Sequence, residues 1–224
     1  MFIGHYGPSF ALKAIRPAIP LWLLFIAVQL VDIGWALLVL LGVERVRIVP
    51  GITASNPLDL YYMPYTHSLA AVALWSTVAI ILWKFLPRSR TRSVAALVGL
   101  AVFSHWLLDL LVHGPDLPVY DDTMKVGLGL WNYRAIALLL EVVLLFGGMT
   151  MYMRRTTAIN AIGRFGPPIF GITMVATQCY LFFGPPPTSP AAAAISALVS
   201  YVVFAAVAQW LDRQRKSAIP HNRE

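Results

Sequence analysis

Charge is scarce in this 224-residue chain: Asp, Glu, Lys and Arg together make up 12% of it. Soluble domains average about 25% charged residues, so the composition excludes an ordinary water-facing surface and points to lipid as the solvent. Cysteine is nearly absent. The single Cys179 lies inside an apolar run, which excludes a disulfide framework and a Cys-rich zinc site. No glycine-rich phosphate loop, internal repeat, low-complexity tail or second domain is visible. The acids are the scarcer sign, 10 against 17 bases, for a net charge of +7. In a soluble protein that excess would raise nucleic-acid binding. The bases instead cluster in short loops between apolar runs, as in loops that face anionic lipid, so no nucleic-acid partner is expected.

What the chain has in abundance is hydrophobic residues, at 58%. Six apolar runs are long enough to span a bilayer at about 20 residues each: 20–41, 65–86, 93–113, 130–153, 166–184 and 191–211. A shorter segment, 2–16, precedes them and suits a half-buried helix. The expected fold is all-α: a polytopic transmembrane helix bundle of about six spans plus an N-terminal half-helix. It reads as one transmembrane domain over 1–224, with the metal-site half in 1–113 and supporting helices in 130–211.

The loops orient the bundle. Lys13 and Arg16, then Lys84, Arg88, Arg90 and Arg92, then Arg154, Arg155 and Arg164, then Arg213, Arg215 and Lys216 fall on one side of a six-span count. The positive-inside rule makes that side, and both termini, cytoplasmic, as in a bacterial inner membrane. Because Lys13 and Arg16 follow the first apolar stretch, that stretch does not read as a signal peptide. Trp22, Trp83, Trp131 and Trp210 sit near span ends, where interfacial aromatics gather.

Ionisable residues inside spans are costly and face a bundle interior or a water-filled cavity. Asp32, His67, His105, Asp109 and Glu141 are such residues. At about 1.5 Å of rise per residue, Asp32 lies about 18 Å from the cytoplasmic boundary, His105 and Glu141 about 20 Å, and His67 and Asp109 about 25 Å. They share one layer in the outer half. His5 joins it, beside Asp32, if Arg16-Pro17-Ala18-Ile19-Pro20 is a tight turn and residues 5–16 fold back into the membrane at a height of about 17 Å. The alternative is a helix lying flat in the headgroups.

The strongest local motif runs from Ser104 to His113. His105, Asp109 and His113 are spaced i, i+4, i+8 and share a helix face, a spacing at which imidazole and carboxylate can bind one metal ion. The structural alternative is an Asp–His hydrogen bond gluing two helices. His113, at the helix end, is either a rim ligand or interfacial. Around His67, Thr66 or Ser68 can cap the start of the second span. Nitrogen and hard oxygen ligands suit a divalent metal such as zinc. The metal candidates are therefore His5, Asp32, His67, His105 and Asp109, enough for one ion or two. Glu141 is the candidate catalytic base or supporting acid, unless it is a salt-bridge partner of Arg134 seven residues earlier.

The order Gly4-His5, Asp32, Thr66-His67-Ser68, His105-xxx-Asp109 resembles the bacterial membrane-bound metal-dependent hydrolases, the YdjM-like group. The resemblance covers about the first half of the chain. The chain departs from the group in carrying a lone Asp32 where many members have Asp-x-Asp-His, and Met63-Pro64-Tyr65 where Arg-Gly often precedes Thr-His-Ser. The order is also similar to zinc-dependent phospholipase C. The resemblance implies a lipid phosphoester substrate. Two other classes use the same residues: a proton- or ion-coupled transporter, and a non-catalytic metal-binding membrane protein.

Overall fold

The computed structural model describes residues 1–83 and 92–218. It is mostly helical. A 3-10 turn, Ile3–His5, leads into α1 (Tyr6–Ile15); then follow α2 (Leu21–Val28), α3 (Leu30–Leu40), α4 (Leu69–Trp83), α5 (Arg92–Val112), α6 (Arg134–Arg155), α7 (Ala161–Phe183) and α8 (Pro190–Asp212). Among the described residues, the expected all-α fold is qualified by two small two-stranded antiparallel sheets outside the helices. β1 (Arg45–Ile48) pairs with β2 (Leu58–Tyr62), and β3 (Thr156–Ala158) pairs with β4 (Arg215–Ser217).

Among the described residues, three helices are long and apolar enough to cross a membrane: Ser93–Val112, Arg134–Arg155 and Pro190–Asp212. A fourth crossing results if α2 and α3, bent by 55° at Gln29, count as one span. The other two expected spans do not meet that standard among the described residues. α4 has 15 residues, and at about 1.5 Å per residue falls short of a hydrocarbon core of about 30 Å. α7 is 23 residues long but carries Arg164, Pro167, Pro168 and several polar and glycine positions, which lower its hydropathy. Of the expected basic loops, Lys84, Arg88 and Arg90 lie outside the described residues.

α1 does fold back along the bundle. It turns through residues 16–20 and packs between α6 and α2. Two glycines allow this. A Cβ on Gly7 would collide with the Leu144 carbonyl of α6, and one on Gly148 would collide with the Gly7 carbonyl, so the two backbones touch at their crossing. Lys13 pins the turn from within. Its buried Nζ donates to the carbonyls of Pro17 (2.8 Å) and Ile19 (3.0 Å) and meets Asp212 Oδ2 at 2.7 Å. Lys13 is thus an internal clamp to the end of α8, where the sequence suggested a loop charge.

An aromatic cluster holds the other flank. Phe25 of α2 packs on Tyr6 (ring centroids 4.5 Å apart), Phe10 (5.3 Å) and Phe170 (6.3 Å), and Phe170 meets Phe204 at 5.6 Å. The polar layer therefore sits beside a dry, close-packed interior. Trp22 and Trp210 are exposed near helix ends. Trp83 and Trp131 also lie near helix ends, with their side chains buried against the protein.

Candidate metal centre

Separate elements of the fold bring the polar residues together. The 3-10 turn carries His5, α3 carries Asp32, the segment before α4 carries His67, and α5 carries His105 and Asp109. Asp109 is the hub. Its Oδ1 lies 3.2 Å from His5 Nε2 and 2.6 Å from the Met1 nitrogen. Its Oδ2 lies 3.1 Å from His105 Nε2, 3.6 Å from His113 Nε2 and 3.8 Å from His67 Nε2. Asp32 Oδ1 lies 3.2 Å from His67 Nε2 and 3.5 Å from His105 Nε2. His5 stands beside Asp109, not directly beside Asp32 as the sequence suggested. It reaches the Asp32 side by stacking on His105, at a ring separation of 3.9 Å and an interplanar angle of 7°.

Among the described residues, two sets of three ligand atoms lie within 4.8 Å of one another: His5, His105 and Asp109, and Asp32, His67 and His105. Both need His105 Nε2. A single nitrogen lone pair binds one ion, so His105 can complete one set or the other. Three protein ligands and an open position are what a catalytic zinc requires.

The outer face of each of three imidazoles is already engaged. The bend at Gln29 leaves the carbonyl of Val28 at the end of α2, without a continuing helix to satisfy it. His105 Nδ1 lies 2.7 Å from that carbonyl and can only donate to it. Thr66 Oγ1 donates to Glu44 Oε2 (2.6 Å), so it accepts from His67 Nδ1 at 2.8 Å. His113 Nδ1 lies 3.0 Å from Asp116 Oδ1 and donates likewise. Three Nδ1–H groups thus point outward, and three Nε2 atoms point at the two carboxylates. No hydrogen bond is made by His105 Nε2 or by either ring nitrogen of His5, all of them buried. A buried lone pair facing a carboxylate is repulsive unless the nitrogen is protonated or a cation lies between them. The donor set, the unpartnered nitrogens and the outward anchors fit a bound divalent cation.

Supporting groups come from places that the sequence did not mark. Glu44, 1% exposed in the loop after α3, holds the Thr66 hydroxyl and accepts the backbone N–H groups of Tyr65 (2.8 Å) and Thr66 (2.9 Å). Burial pushes its carboxyl up from the usual range, opposed by the nearby His67 and those hydrogen bonds. Tyr201 of α8 donates to Asp32 Oδ2 at 2.9 Å. Gln29, at the bend, donates to the Phe2 carbonyl at 3.2 Å. Ser68 caps the start of α4 by accepting from Ala71 N–H (3.1 Å), which frees Thr66 for Glu44. His113, left open between rim and ligand, is buried and joins the cluster, with its ring 4.3 Å from that of Trp131. Nothing in spacing could reveal Glu44 or Tyr201; His113 was on the right face of α5 to be found.

Glu141 does not pair with Arg134, which donates to the Ala54 carbonyl and lies over the Phe183 ring. Instead Glu141 Oε2 accepts the backbone N–H groups of Phe2 (3.0 Å) and Gly4 (3.1 Å) and so fixes the turn that carries His5. Its Oε1 is buried and unpartnered. The second half of the chain, expected to be scaffold apart from Glu141, thus supplies Tyr201 to the site as well.

A cavity of about 680 Å³ borders the cluster, lined there by Asp32, His67, Asp109, His113 and Glu141. Compared with family models, curated proteins and solved structures, the chain matches none.

Proposed function

We propose that this chain is a membrane-embedded metal-dependent hydrolase acting on a lipid phosphoester. The observation that carries the reading is the convergence of Nε2 atoms, those of His67 and His105 backed by an engaged Nδ1, on Asp32 and Asp109. A divalent cation of the zinc type would be held by His105 with either His5 and Asp109 or Asp32 and His67. When bound, such a cation supplies Lewis acidity to a phosphoryl oxygen and to a water molecule. The chain's own groups do the rest. Tyr201 keeps one oxygen of Asp32 engaged and turns the other inward. Glu141 holds the His5 turn through Oε2 and leaves Oε1 to accept a proton from the attacking water.

The order of these residues resembles that of the YdjM-like hydrolases, a likeness that supports the same reading. It also takes α4 and α7 as further spans, six in all, of a bacterial inner membrane protein. The basic segments 84–92, 154–164 and 213–216 then share the cytoplasmic side.

The test is metal analysis of protein purified in detergent, with a phospholipid hydrolysis assay on the same sample. Bound transition metal that is lost with His105→Ala, and activity lost with it, is the expected result. No bound metal in the native protein, together with solute flux that depends on Asp32 and Asp109, would replace this reading with a transporter.

A further inference from the structure

The cavity extends well beyond the cluster, and its far walls carry information about what enters. Along one side of α8 it is lined by Ala193, Ser196, Ala197 and Ser200, spaced so that they share a face. Opposite them on α7 stand Leu181 and Phe182, with Gln178 one turn earlier. Small side chains on one wall and the apolar Leu181 and Phe182 on the other leave a slot between two helices. Leu181 is 48% exposed and its neighbour Tyr180, which also lines the cavity, is 62% exposed, so the slot reaches the outer surface of α7. A hydrocarbon chain fits such a passage.

Besides Glu141 Oε1, which the proposed reaction uses, three polar groups in the cavity wall are buried and make no hydrogen bond: Trp35 Nε1, Ser55 Oγ and Gln178 Oε1. Each belongs to a residue no more than 5% exposed. Buried polar atoms left unpaired are rare and costly, which marks them as partners for something absent. Their chemistry is selective. An indole N–H only donates and an amide oxygen only accepts. A hydroxyl both donates and accepts, so it satisfies all three. An ammonium cannot accept from Trp35, and a quaternary ammonium can do neither. No Lys or Arg lines the cavity among the described residues, so its walls offer no cationic side chain to a second anionic group.

We infer that the cavity binds a phospholipid with an uncharged, hydroxylated head group, its chain in the α7–α8 slot and its hydroxyls on Trp35, Ser55 and Gln178. The inference rests on the metal-hydrolase reading for where the phosphate sits, against the His/Asp cluster. It adds the class of head group and the residues that select it.

The experiment is lipid retention by the full chain in nanodiscs made from phosphatidylglycerol and phosphatidylcholine of identical chains, with metal content measured on the same samples. Phosphatidylglycerol is expected to be retained about tenfold over phosphatidylcholine, the effect of one or two buried hydrogen bonds. Trp35→Phe and Gln178→Met, made separately, each bring the ratio toward one, because each removes a hydrogen-bonding group while keeping bulk. Equal retention of the two lipids by a metal-loaded protein overturns the head-group inference and leaves the hydrolase reading standing. A strong preference in a protein that holds no metal, abolished by Trp35→Phe, supports the head-group site and overturns the hydrolase reading. Displacement of the lipid by soluble glycerol 3-phosphate at equal concentration would make the ligand a free polyol phosphate and overturn the part played by the slot.

Discussion

The hydroxyl of Thr66 gives its hydrogen to Glu44 across 2.6 Å, and so it can only accept from His67. A residue in the loop after α3 thereby decides which nitrogen of a buried imidazole carries the proton. Losing a group that orients a ligating histidine typically weakens metal affinity by about 10- to 100-fold. Thr66→Val should do so, and Thr66→Ser should restore it. Glu44→Gln should resemble Thr66→Val, since an amide nitrogen facing Thr66 reverses the direction of donation. Competition with a chromogenic chelator reads all three.

His105 belongs to both candidate ligand sets, and His5 and His67 to one each. His105→Ala should abolish metal retention. His5→Ala leaves Asp32, His67 and His105, and His67→Ala leaves His5, His105 and Asp109, so each should retain metal more weakly than the native chain. Inductively coupled plasma mass spectrometry of the purified variants checks the pattern. Equal, complete loss in all three would mean that the two sets act as one.

The crossing of α1 and α6 at Gly7 and Gly148 involves no ligand atom, yet it sets where His5 stands. Gly148→Leu should push the helices apart at a cost of about 1–3 kcal/mol or more. Thermal unfolding in detergent should fall accordingly, and metal retention should fall with it. A Cβ at Gly147, one residue earlier, would meet nothing within 4 Å, so Gly147→Ala should leave both unchanged.

Glu141 reaches the site through the backbone of Phe2 and Gly4. Glu141→Gln keeps a carbonyl oxygen for those N–H groups but removes the carboxylate that would accept a proton. Metal content should be close to native and hydrolysis strongly reduced. Loss of metal with Glu141→Gln would instead assign it only to holding the turn.

Much of the site was legible in the sequence because a charged side chain in lipid has few explanations. His105 and Asp109 share a face of α5 at helical spacing, and Asp32, His67 and Glu141 interrupt apolar runs. The sequence offered the proline-flanked turn at residues 16–20 beside a helix lying flat in the headgroups, and the packing of α1 against α6 decided for the turn. The number of spans was harder to read. Among the described residues α4 falls short in length and α7 in hydropathy, so three crossings, or four with the bent α2–α3 pair, stand of the six expected.

By itself, then, the sequence determined the solvent, the helical class and the residue types available for chemistry, because hydropathy and helical rise are local properties. Only the tertiary structure decided that His5 meets Asp109 through the α1–α6 crossing, that His113 turns inward, and that Lys13 serves as an internal clamp. Glu44, Tyr201 and the cavity between α7 and α8 were also its decision. Each depends on groups far apart in the chain being packed against one another, and periodicity along a single helix carries no record of its neighbours.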